Sequence, residues 1–340
     1  MLPSAPTVSV LLPVHDAAAT LGRAVAGIRQ QTAGDWELVA VDDGSTDGSG
    51  EQLMAAARDD PRIRVLRREH GGIVAALNAG LAAARGGLVA RMDADDEAHP
   101  DRLAEQVGFL AAHRDLGVVG SLVAYGGDRT ANAGYARHVD WLNALRTPEQ
   151  LALNRFIESP FAHPSVMFRR ELVARHGGYR GGDFPEDYEL WLRWAEAGVR
   201  LGKVPRVLLT WHDPPGRLSR TDPRYAADAF YRVKAHYLAR WLARERRGRR
   251  LLVWGAGRPT RKRAAHLEAE GCAIDGYVDI DPRKAGRRLA DRTVIAPGEL
   301  PPPGGTFVLG YVANVGAREL IRGGLTARGY AEGRDFLMCA

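Results

Sequence analysis

Short apolar runs alternate with amphipathic stretches through the first hundred or so positions. Val8–Leu12 (VSVLL) reads as a buried strand stopped by Pro13. From Thr20 to Gln31, Leu21, Val25 and Ile28 recur at helical spacing, with Thr20 as the expected N-cap. Trp36–Val41 is a second strand that runs into the polar turn Asp42–Gly48, and a helix over 48–58 can be capped by Thr46 or Asp47. Arg62–Leu66 is a third strand, Gly72–Ala84 an alanine-rich helix closed by Gly86-Gly87, and Leu88–Met92 a fourth strand; Pro100 opens a helix that reaches His113. Strands and helices in this rhythm predict βαβ units and a mainly parallel sheet.

Beyond that, Val118–Tyr125 reads as a strand, 126–136 as a loop and Trp141–Ile157 as partly helical. Residues 158–168 form a polar approach to a strand, in which His163 either touches substrate or bonds its own loop. A helix starts near Asp187 and runs to Ala197 with Leu190, Trp191 and Trp194 on its buried side, and Leu201–Trp211 reads as two short strands. Arg224–Gly248 is a long helical stretch. A new unit begins with the strand Arg250–Trp254, the turn Gly255-Ala256-Gly257, a helix to Glu270 and strands at Ala273–Val278 and Thr306–Gly310. The expected organisation is therefore α/β throughout: a large domain over 1–222, a helical basic linker over 223–249, and a smaller Rossmann-like domain over 250–340. Asp279 lies 22 positions beyond Gly257, the place of a ribose-binding acid, but Thr260 stands where the third glycine of that fingerprint belongs. A structural or regulatory role is favoured for this domain over a dehydrogenase.

Composition changes this picture little. A chain of 340 residues with 45% hydrophobic and 26% charged residues has room for two globular domains. The net charge of +6 comes largely from 232–263, which holds twelve Lys/Arg against Glu245 alone. No nucleic-acid-binding signature accompanies that run, so it reads as a solvated helix face or as a patch for acidic lipid head groups or a diphosphate-bearing acceptor. Cys272 and Cys339 lie far apart, which implies neither a disulfide framework nor a metal spacing. With no secretory leader and no apolar run near 18 residues, a cytoplasmic location is expected, with room for association at the cytoplasmic membrane face.

The chemistry sits at strand ends. Asp93, Asp95 and Asp96 arrive directly after the fourth strand. Like charges that close repel, and a divalent cation carrying a phosphorylated substrate would offset them, although an isolated DxD is also common as a solvated loop. Pro13–Asp16, Asp42–Asp47 and Asp93–Asp96 all follow strands and should converge on one sheet edge, where ligands of such sheets bind. No GxxxxGK[ST] loop is present, so phosphate is not held in the P-loop manner. Pro13–Thr20 also offers no glycine-rich basic triphosphate loop, which argues against a sugar nucleotidyltransferase.

VSVLLPVHDAAATLGRAVAGIRQQT, ELVAVDDGSTDGS, LNAGLAAARGGLVARMDADDEAHPDRL and FPEDYELWLRWAEAG, in this order over residues 7–212, resemble the GT-A glycosyltransferases of family 2. The resemblance implies a GT-A fold and an inverting, metal-dependent transfer of a sugar from a nucleotide-diphosphate sugar, with UDP the expected carrier. The acceptor hydroxyl would belong to a glycan, a lipid-linked acceptor or a small molecule, in cell-surface glycan or glycoconjugate synthesis. By the same resemblance Pro13 and His15 line the nucleotide pocket, Asp43 meets the base, and Asp42 shapes the loop. Asp93 contacts ribose and metal, Asp95 binds the Mn²⁺ or Mg²⁺, and Asp96 stands behind them. Asp187 is the general base. In the closing segment His212–Ser219, His212 is a candidate metal ligand or diphosphate contact and Arg217 a phosphate partner, with a plain structural turn as the alternative for both. The competing function is a non-catalytic nucleotide- or sugar-nucleotide-binding regulatory protein.

Overall fold

The first apolar run does not stop at its proline. In the computed structural model, which describes residues 5–214 and 216–340, β1 spans Val8–Val14 and is buried throughout. Pro215, inside the His212–Ser219 segment, lies outside the described residues. The parallel strands β1, β2 (Trp36–Asp43), β3 (Ile63–Arg68) and β4 (Leu88–Arg91) are joined by α1 (Ala18–Arg29), α2 (Ser49–Asp59) and α3 (Ile73–Ala83). β1 pairs with β2 along its whole length but with β4 only as far as Leu11. The Met92 N–H donates to the Leu11 carbonyl. Pro13, two residues on, thus turns its donor-less nitrogen to the side where the ladder has already ended.

The helix caps also differ from expectation. Thr20 lies inside α1, and its hydroxyl bonds the Ala17 carbonyl at 3.3 Å. The start of α1 is capped from the next loop: Asp47 Oδ2 accepts the Ala18 N–H at 2.8 Å and Ser49 Oγ accepts the Ala17 N–H at 2.9 Å. Asp47 Oδ1 also takes the Ser49 N–H at 3.0 Å, so one carboxylate serves the first turns of both α1 and α2.

The sheet is completed by β5 (Glu97–Ala98), β6 (Leu116–Tyr125), β7 (Met167–Arg169) and β8 (Arg200–Trp211), in the order β3-β2-β1-β4-β7-β6-β8-β5. β7 runs antiparallel to β4 and β6, and β5 antiparallel to β8. Over the same stretch the chain also forms α4 (Arg102–Ala112), α5 (Ala133–Ala144), α6 (Pro148–Asn154), α7 (Glu171–His176), α8 (Glu186–Glu196) and the short α9 (Leu218–Thr221). β8 is one strand and not two. Its register against β6 slips between Val204 and Val207, so Pro205 and Arg206 are accommodated as a bulge without ending the strand.

The chain divides into two compact units: residues up to Leu151 with Pro160–Gly182 and Arg193–Thr221, and Ala152–Ser159 with Asp183–Leu192 and Asp222–Ala340. The second contains α10 (Ala227–Glu245), β9 (Arg250–Trp254), α11 (Arg258–Ala269), β10 (Gly276–Val278), β11 (Arg288–Leu289), β12 (Arg292–Ile295), β13 (Thr306–Gly310), α12 (Ala317–Thr326) and β14 (Phe336–Met338). Its sheet order is β11-β12-β10-β9-β13-β14, parallel except for β11, which is a Rossmann-type winding about β9. The stretch 223–249 is not a linker in this arrangement. Val233, Tyr237, Leu238 and Leu242 of α10 pack with Leu251, Val253, Phe307 and Leu309 in the unit's core. Part of the basic run is internal as well: Lys234 is buried and donates to the Ile157 and Cys339 carbonyls, and Arg249 pairs with Asp335. Asp279 is buried after β10 and accepts from the Ala256 N–H at 2.8 Å and from Lys284 Nζ at 3.1 Å, so its carboxylate ties the turn after β9 to its own.

Candidate active site

The loops after β1 and β2 are built on each other. Asp16 takes a left-handed conformation, φ 45°, and its Oδ1 accepts the Thr46 N–H at 2.8 Å. Asp42 is buried and shapes its own turn, accepting the Ser45 N–H at 3.0 Å and Arg67 Nε at 3.2 Å. Gly44 must be glycine: φ is 77°, and a Cβ there would stand 2.8 Å from the His70 nitrogen. Asp43 faces the turn after β3. Its carboxylate pairs with Arg68 and accepts the N–H groups of Gly71 and Gly72, the latter at 2.8 Å. The rings of His15 and His70 stack at 4.0 Å, and each directs Nδ1 at the Asp43 carbonyl, at 3.0 and 3.1 Å. Pro13 is buried one step behind them in β1. Sequence reasoning missed Arg68 and His70. The signal available was their position: Arg68 ends β3 and His70 follows it, at the same sheet edge as Asp43.

The acidic loop after β4 carries more of its own compensation than its sequence suggests. Carboxylate oxygens of Asp93, Asp95 and Asp96 lie within 4.8 Å of one another, the one such set of three or more metal-ligating side chains among the described residues. Beneath them Arg91, 2% exposed, donates from Nη2 to Asp93 Oδ1 at 2.5 Å. Arg102, fully buried in α4, donates to the Arg91 carbonyl at 2.6 Å; burial brings its guanidinium down to about 9. Arg23 of α1 fixes the Asp95 carbonyl at 2.8 Å. Even so, burial and then the Asp93 charge push the Asp95 carboxyl up to about 6. The same causes hold Asp96 well above the carboxylate range. Asp96 Oδ2 is buried without a protein hydrogen-bond partner. An orphaned buried oxygen beside two further carboxylates is a hard-oxygen donor set that fits Mn²⁺ or Mg²⁺.

His212, directly after β8, meets this loop. The His212 N–H donates to Asp96 Oδ1, while its imidazole is not a member of the 4.8 Å ligand set. Burial, and then Arg23, keep that imidazole below its ordinary value, and its Nε2 is buried without a partner. Asp213 accepts from the Tyr125 hydroxyl at 2.6 Å and pairs with Arg220. Arg217 lies 4.2 Å over the Trp211 ring, where its charge lowers the proton affinity of both Asp95 and Asp96. His163 is half-buried on a short 3-10 turn and bonds the Tyr179 hydroxyl at 2.8 Å, with desolvation of its ring holding it well below the usual histidine range.

Asp187 belongs to the second unit, on the first turn of α8. It is half-buried and its Oδ1 accepts the Tyr188 N–H at 2.7 Å. Glu186 and Glu189 on either side of it are buried.

The family model for glycosyl transferase family 2 matches residues 9–177. EpsE of Bacillus subtilis (strain 168), a glycosyltransferase by assignment, is 31% identical over 230 residues, which cover 66% of this chain and 80% of EpsE. The O-antigen biosynthesis glycosyltransferase WbnJ of Escherichia coli is 28% identical over 240 residues, 69% of this chain and 89% of WbnJ. Among solved structures, the mannosyltransferase PcManGT from Pyrobaculum calidifontis, in complex with GDP-Man and Mn²⁺, shares 26% identity at a TM-score of 0.52, covering 78% of this chain and 70% of that one. The chain belongs to glycosyltransferase family 2, and its larger sheet is a GT-A fold.

Proposed function

We propose that this family 2 glycosyltransferase is inverting and metal-dependent, and that it moves a sugar from a nucleoside-diphosphate sugar, with UDP as carrier, to an acceptor hydroxyl during cell-surface glycan synthesis. The observation that carries the reading is the buried, partnerless Asp96 Oδ2 beside Asp93 and Asp95. Those three residues would hold Mn²⁺ or Mg²⁺, which when bound supplies positive charge for the departing diphosphate. Arg217 adds a second cation for the same phosphates. Asp43, Arg68, His15 and Pro13 form the base end of the donor site. Asp187 takes the acceptor proton as the acceptor oxygen bonds to the anomeric carbon and the bond to diphosphate breaks, the electron pair leaving with the nucleotide. A single displacement of this kind inverts the anomeric centre. The GDP-Man and Mn²⁺ bound by PcManGT support a sugar nucleotide and a divalent cation as ligand classes, and the O-antigen role of WbnJ supports a polysaccharide acceptor. A lipid-linked acceptor would place the enzyme at the cytoplasmic membrane face; among the described residues no helix is long and apolar enough to cross a membrane.

The test is a panel of UDP- and GDP-sugars with and without Mn²⁺, read as nucleoside diphosphate release from the full chain. Asp187→Asn should keep donor binding and lower transfer by about a hundredfold or more to a measurable residual rate; transfer by that variant at the wild-type rate would remove Asp187 as the base.

A further inference from the structure

Three carboxylates crowd the first turn of α8: Glu186, Asp187 and Glu189. Glu186 and Glu189 are each 3% exposed, and burying two carboxylates on one helical turn is costly unless each finds a donor. Two phenols supply donors. Tyr225, on the 3-10 turn before α10, donates to Glu186 Oε2 at 2.6 Å. Tyr237, inside α10, donates to Glu189 Oε1 at 2.6 Å. A third phenol, Tyr188, anchors the same turn by donating to the Arg155 carbonyl at 2.6 Å, and its ring packs 5.7 Å from Phe230 of α10. All these residues belong to the second unit.

Residues three apart share a helix face, so Glu186 and Glu189 are gripped from one side, while Asp187, about 100° further round the axis, is the half-buried member. We propose that Tyr225 and Tyr237 are positioning residues for transfer: they hold Glu186 and Glu189 so that α8 presents Asp187 in one fixed orientation. The proposal rests on the reading of Asp187 as the base. It gives the C-terminal unit a part in the reaction without a ligand of its own. Short hydroxyl-to-carboxylate bonds suit the task, because they are strong and directional. Burial, and then the Glu186 charge, push the Tyr225 phenol far above its ordinary value, so it stays a donor across the working range of pH. Small displacements of a catalytic group are enough to matter, since about 1 Å of misplacement costs on the order of a hundredfold in rate.

The experiment compares Tyr225→Phe, Tyr237→Phe and their double variant in the full chain, each alone and combined with Asp187→Asn. Turnover is read on the UDP- or GDP-sugar that the panel identifies, and binding of UDP and of GDP with Mn²⁺ by calorimetry. Phenylalanine keeps the ring and its packing, and the melting temperature of each variant checks that it folds. Glu186→Gln, which keeps an acceptor oxygen, serves as the second probe of the same contact. Each Tyr→Phe change should lower kcat by about tenfold with nucleotide affinity unchanged, and should cost nothing more when Asp187 is already Asn. Unchanged kcat in folded Tyr→Phe variants, with Asp187→Asn reduced to its residual rate, overturns the positioning role. An equal further loss in the Asp187→Asn background does so too, because it would mark a general structural effect. If Asp187→Asn itself turns over normally, the base assignment fails first, a result the single variants separate cleanly.

Discussion

The backbone N–H of His212 donates to Asp96 Oδ1 at 2.8 Å, joining residues 116 positions apart. This contact makes Asp96 the hinge between the acidic loop after β4 and the segment after β8. It satisfies one carboxylate oxygen and leaves the other, Oδ2, buried and without a protein partner. Asp96→Asn can keep an acceptor for the His212 N–H while it replaces Oδ2 by an amide nitrogen and removes the charge. Its Mn²⁺ affinity should fall about tenfold to a hundredfold, and that of Asp95→Asn by more, as measured by calorimetric titration. Equal Mn²⁺ affinity in both variants and the wild type would reject this loop as the cation site.

Asp43 combines a structural task with its proposed role at the base. Asp43→Ala strands the Gly71 and Gly72 N–H groups and leaves Arg68 without its carboxylate. The loss should be about 2–3 kcal/mol in urea unfolding, together with about tenfold weaker binding of UDP. Asp42→Ala, which frees Ser45 and Arg67 instead, should cost similar stability and change UDP affinity much less.

Two glycines on helices of the first unit should respond in opposite directions to alanine. At Gly80 in α3 an added Cβ would stand 2.0 Å from Leu11 Cδ1 in the core of β1. Overpacking there should destabilise by about 1–3 kcal/mol, outweighing alanine's better helix propensity. At Gly22 in α1 nothing lies within 4 Å of the added carbon, so Gly22→Ala should stabilise by roughly 0.5–1 kcal/mol. Denaturant midpoints of the two variants check the pair, and a shift of the same sign in both would contradict the packing account.

Acid should act on the first unit through Glu37. Burial works to raise this carboxyl, but the Ser9 hydroxyl, the Arg85 N–H and guanidinium and Arg64 outweigh it and hold it at about 2, against an ordinary 4.5. A depressed carboxyl binds fewer protons folded than unfolded, so its contribution is complete above pH 4.5 and is lost as the pH falls toward 2. The loss should amount to about 3 kcal/mol over that window, and Glu37→Gln should start less stable and show a shallower acid slope. Urea unfolding of the two proteins between pH 5 and pH 2 decides it; parallel slopes would remove Glu37 as the responsible group.

Much of the candidate site was legible in order along the chain. Asp43, Asp93 and Asp95 each close an apolar strand, and parallel pairing of β1, β2 and β4 carries them to one edge. The positive side of the same site was not legible. Arg23, Arg68 and Arg102 sit on different elements and look like ordinary charged residues of helices and strands, yet they meet the Asp95 carbonyl, the Asp43 carboxylate and the Arg91 carbonyl. A carboxylate cluster advertises itself by spacing, whereas its counter-charges arrive from anywhere that folding brings close.

Periodicity and strand-end chemistry by themselves determined the α/β architecture and the acidic loop after β4, and the ordered motifs carried the family resemblance, because side-chain pattern and short-range turn chemistry are written locally. Tertiary structure alone decided that β1 passes through Pro13, that Asp47 and not Thr20 caps α1, and that one face of α10, within 223–249, packs into a core. It also decided that the turn bearing Asp187 is held by Tyr225 and Tyr237, from 38 and 50 positions downstream. The physical reason is common to all four. A missing N–H is harmless only where no strand lies beside it, and a cap, a core position or a gripped carboxylate is defined by a partner distant in sequence.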